Sequence, residues 1–92
     1  MIIRLHKNFK KRYQKLNKSQ KNKFKERRNL FLRDEFDPIL NNHALGGKYT
    51  GYRSINITGD IRVLYKRSFS ADMGERDVAI FVTIDSHSNL YG

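Results

Sequence analysis

The sequence predicts an α+β fold in which a first strand and two helices pack on one face of an antiparallel sheet. Two observations predict it. The first half of the chain has apolar residues at helical spacing, and the second half has three strand-like segments joined by short turns. Helices followed by strands are typical of α+β domains. With 92 residues, 38% of them hydrophobic, we expect a single domain over residues 1–92.

The chain begins with a short strand-like segment, whose apolar residues are Ile2, Ile3 and Leu5. His6 follows, and we expect it to be a surface residue without a catalytic role. Apolar residues then recur at i, i+4 and i+7, which predicts a helix that buries Phe9, Tyr13 and Leu16. Asn8 is the predicted cap of this helix, because an asparagine side chain accepts a hydrogen bond from the first turn.

A second helix is predicted from Asn17 to about Arg33. Asn17 and Gln20 have the spacing of a capping box, in which each side chain bonds the backbone of the other residue. We expect its buried stripe to consist of Phe24, Phe31 and Leu32. The short gap between the helices predicts a helical hairpin. Pro38 lies in the loop that follows, and a helical Asp37 before it is disfavoured.

The second half of the chain predicts an antiparallel meander of three strands. Residues 52–58 alternate in polarity, the Gly59-Asp60 pair predicts a tight turn, and residues 61–69 form the next strand. A polar turn is expected at residues 70–76. Residues 78–84 are apolar on both faces, as in a central strand.

Charge is distributed unevenly along the chain. The net charge is +10, and residues 1–48 hold 14 Lys and Arg against 4 acidic residues, whereas residues 49–92 hold 5 of each. A basic field of this kind attracts polyanions. We therefore expect nucleic acid or an acidic protein partner.

Cysteine is absent, so disulfides and thiolate metal sites are excluded. This fits a cytoplasmic protein. No apolar stretch approaches the roughly 20 residues that span a bilayer, and the N-terminus lacks the apolar region of a signal peptide. We expect no membrane association.

The segment after the last strand carries the most chemistry. His87 and Tyr91 stand four residues apart, and His43, Asp60 and Arg62 lie at other segment ends. Histidine can take and give protons near neutrality. Cleavage of RNA through its 2′-hydroxyl needs a base, an acid and a cation that stabilises the phosphate, and this set contains all three.

The sequence gives less support to a metal site, a phosphate-binding glycine loop or a serine or cysteine nucleophile. His43, His87 and Asp60 lack the compact spacing of a metal site, so we expect neither a metal nor a small-molecule cofactor. The chain has no phosphate-cradling glycine loop and no serine or cysteine nucleophile signature.

Four segments together resemble a known family. They are LNNHALGG at 40–47, GYR at 51–53, GDIRVLY at 59–65 and SHSNLYG at 86–92. Their order and spacing resemble the YafQ branch of the RelE superfamily, the toxins of type II toxin–antitoxin systems. The resemblance covers residues 36–92 by motif and the N-terminal part by layout.

The resemblance implies a RelE-like α+β fold and a metal-free mRNA endonuclease that works on the ribosome. It also implies a cognate acidic antitoxin that covers the basic surface. Residue by residue, it implies a catalytic set of His43, Asp60, Arg62, His87 and Tyr91. Two positions depart from the family prototype, since Asn56 replaces a histidine and Ile61 a tryptophan. Asparagine cannot act as an acid or base near neutrality, so any proton transfer at position 56 must move to His87, Asp60 or His43.

Basic residues are expected to bind mRNA and ribosomal RNA. They are Lys10, Lys11, Lys15, Lys21, Lys25, Arg28, Lys48 and Arg53. Two alternatives remain open at this stage: a ParE-like toxin or nucleic-acid-binding module that is not a nuclease, and a free ribonuclease that needs no ribosome. The codon preference, the antitoxin and the stoichiometry of their complex are also open.

Overall fold

A computed structural model of the chain describes residues 1–70, 74 and 76–91. Its strands are β1 (Ile2–Leu5), β2 (His43–Ala44), β3 (Arg53–Asn56), β4 (Ile61–Ser70) and β5 (Arg76–Ser86). Its helices are α1 (Lys7–Tyr13), α2 (Lys18–Arg33) and α3 (His87–Tyr91), with 3₁₀ turns at Pro38–Leu40 and Gly47–Tyr49. Most of the polar turn expected at 70–76 lies outside the described residues.

The five strands form one sheet in the order β1-β5-β4-β3-β2. Strands β3, β4 and β5 form the predicted antiparallel meander. The first strand pairs parallel to β5, so the sheet is mixed and not wholly antiparallel as predicted. Strand β5 therefore lies between β1 and β4, which explains why it is apolar on both faces.

Each N-terminal helix begins at a side-chain cap. The predicted box of α2 is confirmed, because Asn17 Oδ1 accepts from the Gln20 N–H at 2.8 Å and Gln20 Oε1 accepts from the Asn17 N–H at 3.0 Å. The prediction that Asn8 caps α1 is wrong. His6 caps it, and its Nδ1 accepts from the Asn8 N–H at 3.0 Å. His6 thus has a structural role that sequence analysis did not assign.

The core lies between the two helices and one face of the sheet. Phe9, Phe24 and Phe31 all pack on the ring of Phe81, with ring centroids 5.4–6.1 Å apart. The predicted burial of Leu32 is wrong, since it is 44% exposed. Residues 24 and 31 are seven apart and share a stripe, whereas residue 32 is rotated about 100° from residue 31.

A polar chain crosses the far end of the same sheet face. The Tyr65 hydroxyl donates to Glu35 Oε2 at 2.6 Å and accepts from Asn42 Nδ2 at 2.6 Å. Asn42 Oδ1 in turn accepts from Arg53 Nε at 2.7 Å, and Arg67 forms an ion pair with Glu35. Burial, followed by the hydrogen bond to Glu35, raises the pKa of the Tyr65 phenol.

Arg53, which was predicted to bind RNA, takes part in these hydrogen bonds. Arg53 lies opposite Tyr65 in the β3–β4 register, so both side chains are on the helix-covered face. Its guanidinium lies 5.3 Å from the centroid of the Phe36 ring. Arg53 therefore orders the loop after α2 and is directed away from the face that carries Arg62.

Within the described residues, no helix combines the length and the apolar character needed to cross a membrane.

Candidate active site

The turn between β3 and β4 meets the start of α3 at one edge of the sheet. Ile61 opens β4 opposite Ser86, the last residue of β5. The hydroxyl of Thr58 accepts from the N–H groups of Asp60 and Ile61, at 3.2 and 2.9 Å, and so shapes the turn. The N–H of His87 donates to the Asp60 carbonyl at 2.8 Å. This contact joins the backbones of the predicted histidine and aspartate.

His87 and Tyr91 lie on the same exposed side of α3. They are four residues apart, which puts them on neighbouring turns of the helix. Their ring centroids are 4.8 Å apart. Tyr91 also packs edge-to-face on Tyr49 at 5.8 Å, and the Tyr49 hydroxyl donates to the Leu90 carbonyl at 2.8 Å. The loop after β2 therefore holds the C-terminal helix in place.

Arg62 supports the turn that presents Asp60. Its Nη1 donates to the carbonyls of Thr58 and Gly59, each at 3.1 Å. In the sheet it lies opposite Asn56 on β3 and Asp85 on β5. Side chains alternate along strands, so these three share the face opposite the helix-packed residues. A half-buried cation thus lies directly beneath the Asp60 turn.

His43 lies apart from this group. It is on the edge strand β2, opposite Ser54, and two strand spacings, or about 10 Å, separate β2 from β4. Its Nδ1 is 2.8 Å from the carbonyl oxygen of Asn41. A carbonyl only accepts, so Nδ1 carries the proton and, in a neutral ring, Nε2 is left with its lone pair. The structure therefore brings together Asp60, Arg62, His87 and Tyr91, and leaves His43 at the sheet margin.

A cluster on the α1 side of α3 was not predicted from the sequence. Arg12 Nη1 donates to Asp85 Oδ2 at 3.2 Å, and Asn89 Nδ2 donates to Asp85 Oδ1 at 2.9 Å. Asp85 Oδ1 also accepts from the Ser86 N–H at 2.8 Å. The four-residue spacing of Asp85 and Asn89 was visible in the sequence. The pairing with Arg12 was not, because 73 residues separate the partners.

The predicted RNA-binding cations lie on different parts of the structure. Lys15 lines a cavity of about 420 Å³ together with Arg12, Asp60 and Asp85. Lys48 lies 5.2 Å from the ring centroid of Tyr49. The predicted RNA-binding residues Lys10 and Lys11 are exposed on α1, and Lys15 is exposed in the turn that follows it. Three others belong to α2, which packs on the opposite sheet face from Arg62; these are Lys21, Lys25 and Arg28.

The side-chain oxygen of Asn56 is buried and has no hydrogen-bond partner within the described part of the chain. Across the described residues, no three His, Cys, Asp or Glu side chains lie close enough together to hold a metal ion.

Known proteins resemble this chain in sequence or in fold. The sequence profile of a family described as YafQ, a bacterial toxin of type II toxin–antitoxin systems, matches residues 1–92. No curated protein sequence matches significantly. Among solved structures, YafQ from Escherichia coli is similar with a TM-score of 0.77 at 20% identity, covering 98% of this chain and 97% of that one.

Two further solved structures share the fold. The E. coli DinJ–YafQ toxin–antitoxin complex aligns with a TM-score of 0.74 at 21% identity, covering 98% of this chain and 96% of that one. A YoeB/ParE toxin from Agrobacterium tumefaciens aligns with a TM-score of 0.74 at 20% identity, covering 95% and 99%. These likenesses confirm the RelE-like α+β fold predicted from the sequence.

Proposed function

We propose that this chain, which belongs to the YafQ family of bacterial toxins of type II toxin–antitoxin systems, is an mRNA endonuclease that acts on translating ribosomes. The observation that carries the proposal is the hydrogen bond from the His87 N–H to the Asp60 carbonyl. It joins the backbones of a histidine and an aspartate whose side chains are both exposed, and Arg62 bonds the carbonyls of the same turn. This set of groups suits phosphodiester cleavage.

The reaction proceeds by attack of a 2′-hydroxyl on the adjacent phosphate. His87 is the principal proton-transfer group, and Asp60 is its partner. One of these two groups accepts the proton of the 2′-hydroxyl as the 2′-oxygen bonds to phosphorus, and the other donates a proton to the 5′-oxygen as its bond to phosphorus breaks. The products are a 2′,3′-cyclic phosphate and a free 5′-hydroxyl. These residues require no metal for either proton transfer.

Arg62 stabilises the additional negative charge on the phosphate. Its guanidinium already lies at the turn, where two carbonyls hold it, so it needs little reorganisation during the reaction. Tyr91 orients the substrate against the His87 ring. His43, at the margin of the sheet, positions the ribose or a neighbouring nucleotide through its Nε2.

The basic helix α1 supplies affinity for ribosomal RNA. Neutralising phosphates releases counterions, so this affinity depends on salt. A cognate acidic antitoxin is the partner that we propose for the same basic surface. An acidic chain would neutralise a toxin of net charge +10 by competing with RNA for these cations.

Primer extension on a defined message tests the proposal. The message is translated in a purified system with and without the protein, and the same message is offered without ribosomes. Cuts within the translated region that need ribosomes support the proposal. Cuts in naked RNA would identify a free ribonuclease instead. An intact message together with DNA breaks in expressing cells would identify a ParE-like toxin.

A further inference from the structure

A second cavity, of about 360 Å³, opens on the sheet face that carries Arg62. Leu64 and Thr83 contribute to its lining from β4 and β5. Each lies two residues from a member of the Arg62–Asp85 pair, so its side chain is on the same side of the sheet. The cavity therefore adjoins the candidate active site and not the helix-covered core.

The lining of this cavity combines aromatic rings with cations. Tyr49 and Tyr52 supply the rings, and Arg12 and Lys48 supply the charges. Aromatic rings stack nucleobases, and Lys or Arg side chains bind phosphates. This combination of residues matches the chemistry of a nucleotide.

Polar groups in the cavity are fixed by Asp85. Its two oxygens accept three hydrogen bonds, from Arg12, Asn89 and the Ser86 N–H. Asp85 therefore positions Arg12 and Asn89, and both of its carboxylate oxygens already accept hydrogen bonds from the protein. Asn89 keeps its amide oxygen and one N–H for other partners, and an amide of this kind can pair with the edge of a base.

Tyr49 connects the cavity to His87. Its ring packs on Tyr91, whose own ring packs on His87. One aromatic ring, that of Tyr91, thus separates Tyr49 in the cavity lining from His87, the proposed proton-transfer group.

We infer that this cavity is a nucleobase-binding subsite, which holds the base of a nucleotide next to the cleaved phosphodiester. Tyr49 and Tyr52 stack the base, Asn89 reads its edge, and Arg12 and Lys48 contact the neighbouring phosphates. The inference rests on the proposed endonuclease and adds to it a physical origin for sequence preference.

Binding of uncleavable RNA tests the subsite separately from cleavage. The probes are trinucleotides with 2′-O-methyl groups, which block 2′-hydroxyl attack, and calorimetry on the full chain gives their Kd. Tyr52→Leu is preferred to a change at Tyr49, because the Tyr49 hydroxyl bonds Leu90. We expect Tyr52→Leu to weaken binding about 5- to 150-fold, the loss of one base–aromatic stack.

Matched controls use residues outside the cavity. Phe36→Leu removes an aromatic ring that is 61% exposed after α2, and it should leave the Kd unchanged.

Asn89→Ala should reduce the ratio of Kd values between the tightest- and weakest-binding base about tenfold. Asn22→Ala on the exposed side of α2 should preserve that ratio.

Wild-type affinity in Tyr52→Leu, or unchanged base preference in Asn89→Ala, would overturn the subsite. If His87→Ala still abolished cleavage, the proposed endonuclease would survive that result. Should Tyr52→Leu fail to fold, photocrosslinking of a 5-iodouridine trinucleotide to the wild-type chain replaces it. Crosslinks at Tyr49 or Tyr52 support the subsite, and crosslinks confined to α2 overturn it.

Discussion

The backbone N–H of His87 donates to the backbone carbonyl of Asp60 at 2.8 Å, and this bond joins the end of β5 to the turn before β4. Because it uses backbone atoms only, both side chains remain exposed and available to a substrate. The candidate site can therefore be altered side chain by side chain without losing the contact that builds it.

Replacement of Asp60 by asparagine tests the carboxylate alone. The backbone bond to His87 is kept, and the amide cannot exchange a proton near neutrality. We expect the cleavage rate to fall about 100-fold with the melting temperature unchanged. Asp34→Asn is the control, since an amide oxygen there can still accept from the Phe36 N–H. Full cleavage by Asp60→Asn would remove Asp60 from the mechanism.

Arg62→Lys keeps the charge but loses the planar guanidinium. Lysine cannot hold both carbonyls of the turn and also face a phosphate as arginine does. We expect single-turnover cleavage to fall at least tenfold, measured at saturating ribosomes. Arg4→Lys, on the exposed edge of β1, should cleave normally. Equal rates for the two variants would show that Arg62 acts only as a positive charge.

The lysines of α1 and of the turn that follows it should determine how RNA binding responds to salt. The triple variant Lys10→Gln, Lys11→Gln and Lys15→Gln removes three predicted phosphate contacts. The slope of log K against log salt should become shallower by about 2. A variant with the same charge loss elsewhere, Arg4→Gln with Lys18→Gln and Arg33→Gln, should change the slope less. Identical slopes in the two variants would indicate that only net charge matters.

Tyr65→Phe separates stability from activity. The phenol bonds both Glu35 and Asn42, so its loss leaves two partly buried polar groups short of a partner. We expect the free energy of unfolding in urea to fall by about 1–3 kcal/mol. Cleavage per folded molecule should not change, because Tyr65 is on the helix-covered face. A variant as stable as the wild type would contradict this account.

The same residue makes stability fall at alkaline pH. Burial raises the pKa of Tyr65 in the folded chain, whereas an unfolded tyrosine ionises near about 10. The contribution of the Tyr65 phenol to the free energy of unfolding is fully present below pH about 10. This contribution is lost as the pH rises further, because only the unfolded state releases the phenol proton. The wild type should then lose about 1.4 kcal/mol per pH unit more than Tyr65→Phe. Parallel pH profiles of urea unfolding would refute this.

Local contacts of the fold could be predicted from the sequence. The Asn17–Gln20 box spans three residues, and its geometry follows from residue type and spacing. The parallel pairing of Ile2 with Val78 was not visible, because no local pattern specifies a partner so distant in the chain. The five-residue helix α3 was also missed, since it is too short for an apolar period to appear.

The candidate site was predicted in part for the same reason. Asp60, His87 and Tyr91 stand at segment ends, and those ends meet at one sheet edge. The separation of His43 depends on strand order, which puts β2 at the margin. Arg53 was predicted to bind RNA from its charge alone. Its contacts with Asn42 and Phe36 could not be predicted, because they depend on its register with Tyr65.

Cleavage by His87→Ala on translating ribosomes tests the central claim most directly. His6→Ser is the matched histidine control, because serine can cap α1 as His6 does. Circular dichroism should first show that both variants are folded. We then expect His87→Ala to cut a defined message at least 100-fold more slowly than the wild type, and His6→Ser to cut it at the wild-type rate. The wild-type upstream fragments should end in a 2′,3′-cyclic phosphate. Wild-type cleavage by His87→Ala would contradict the account.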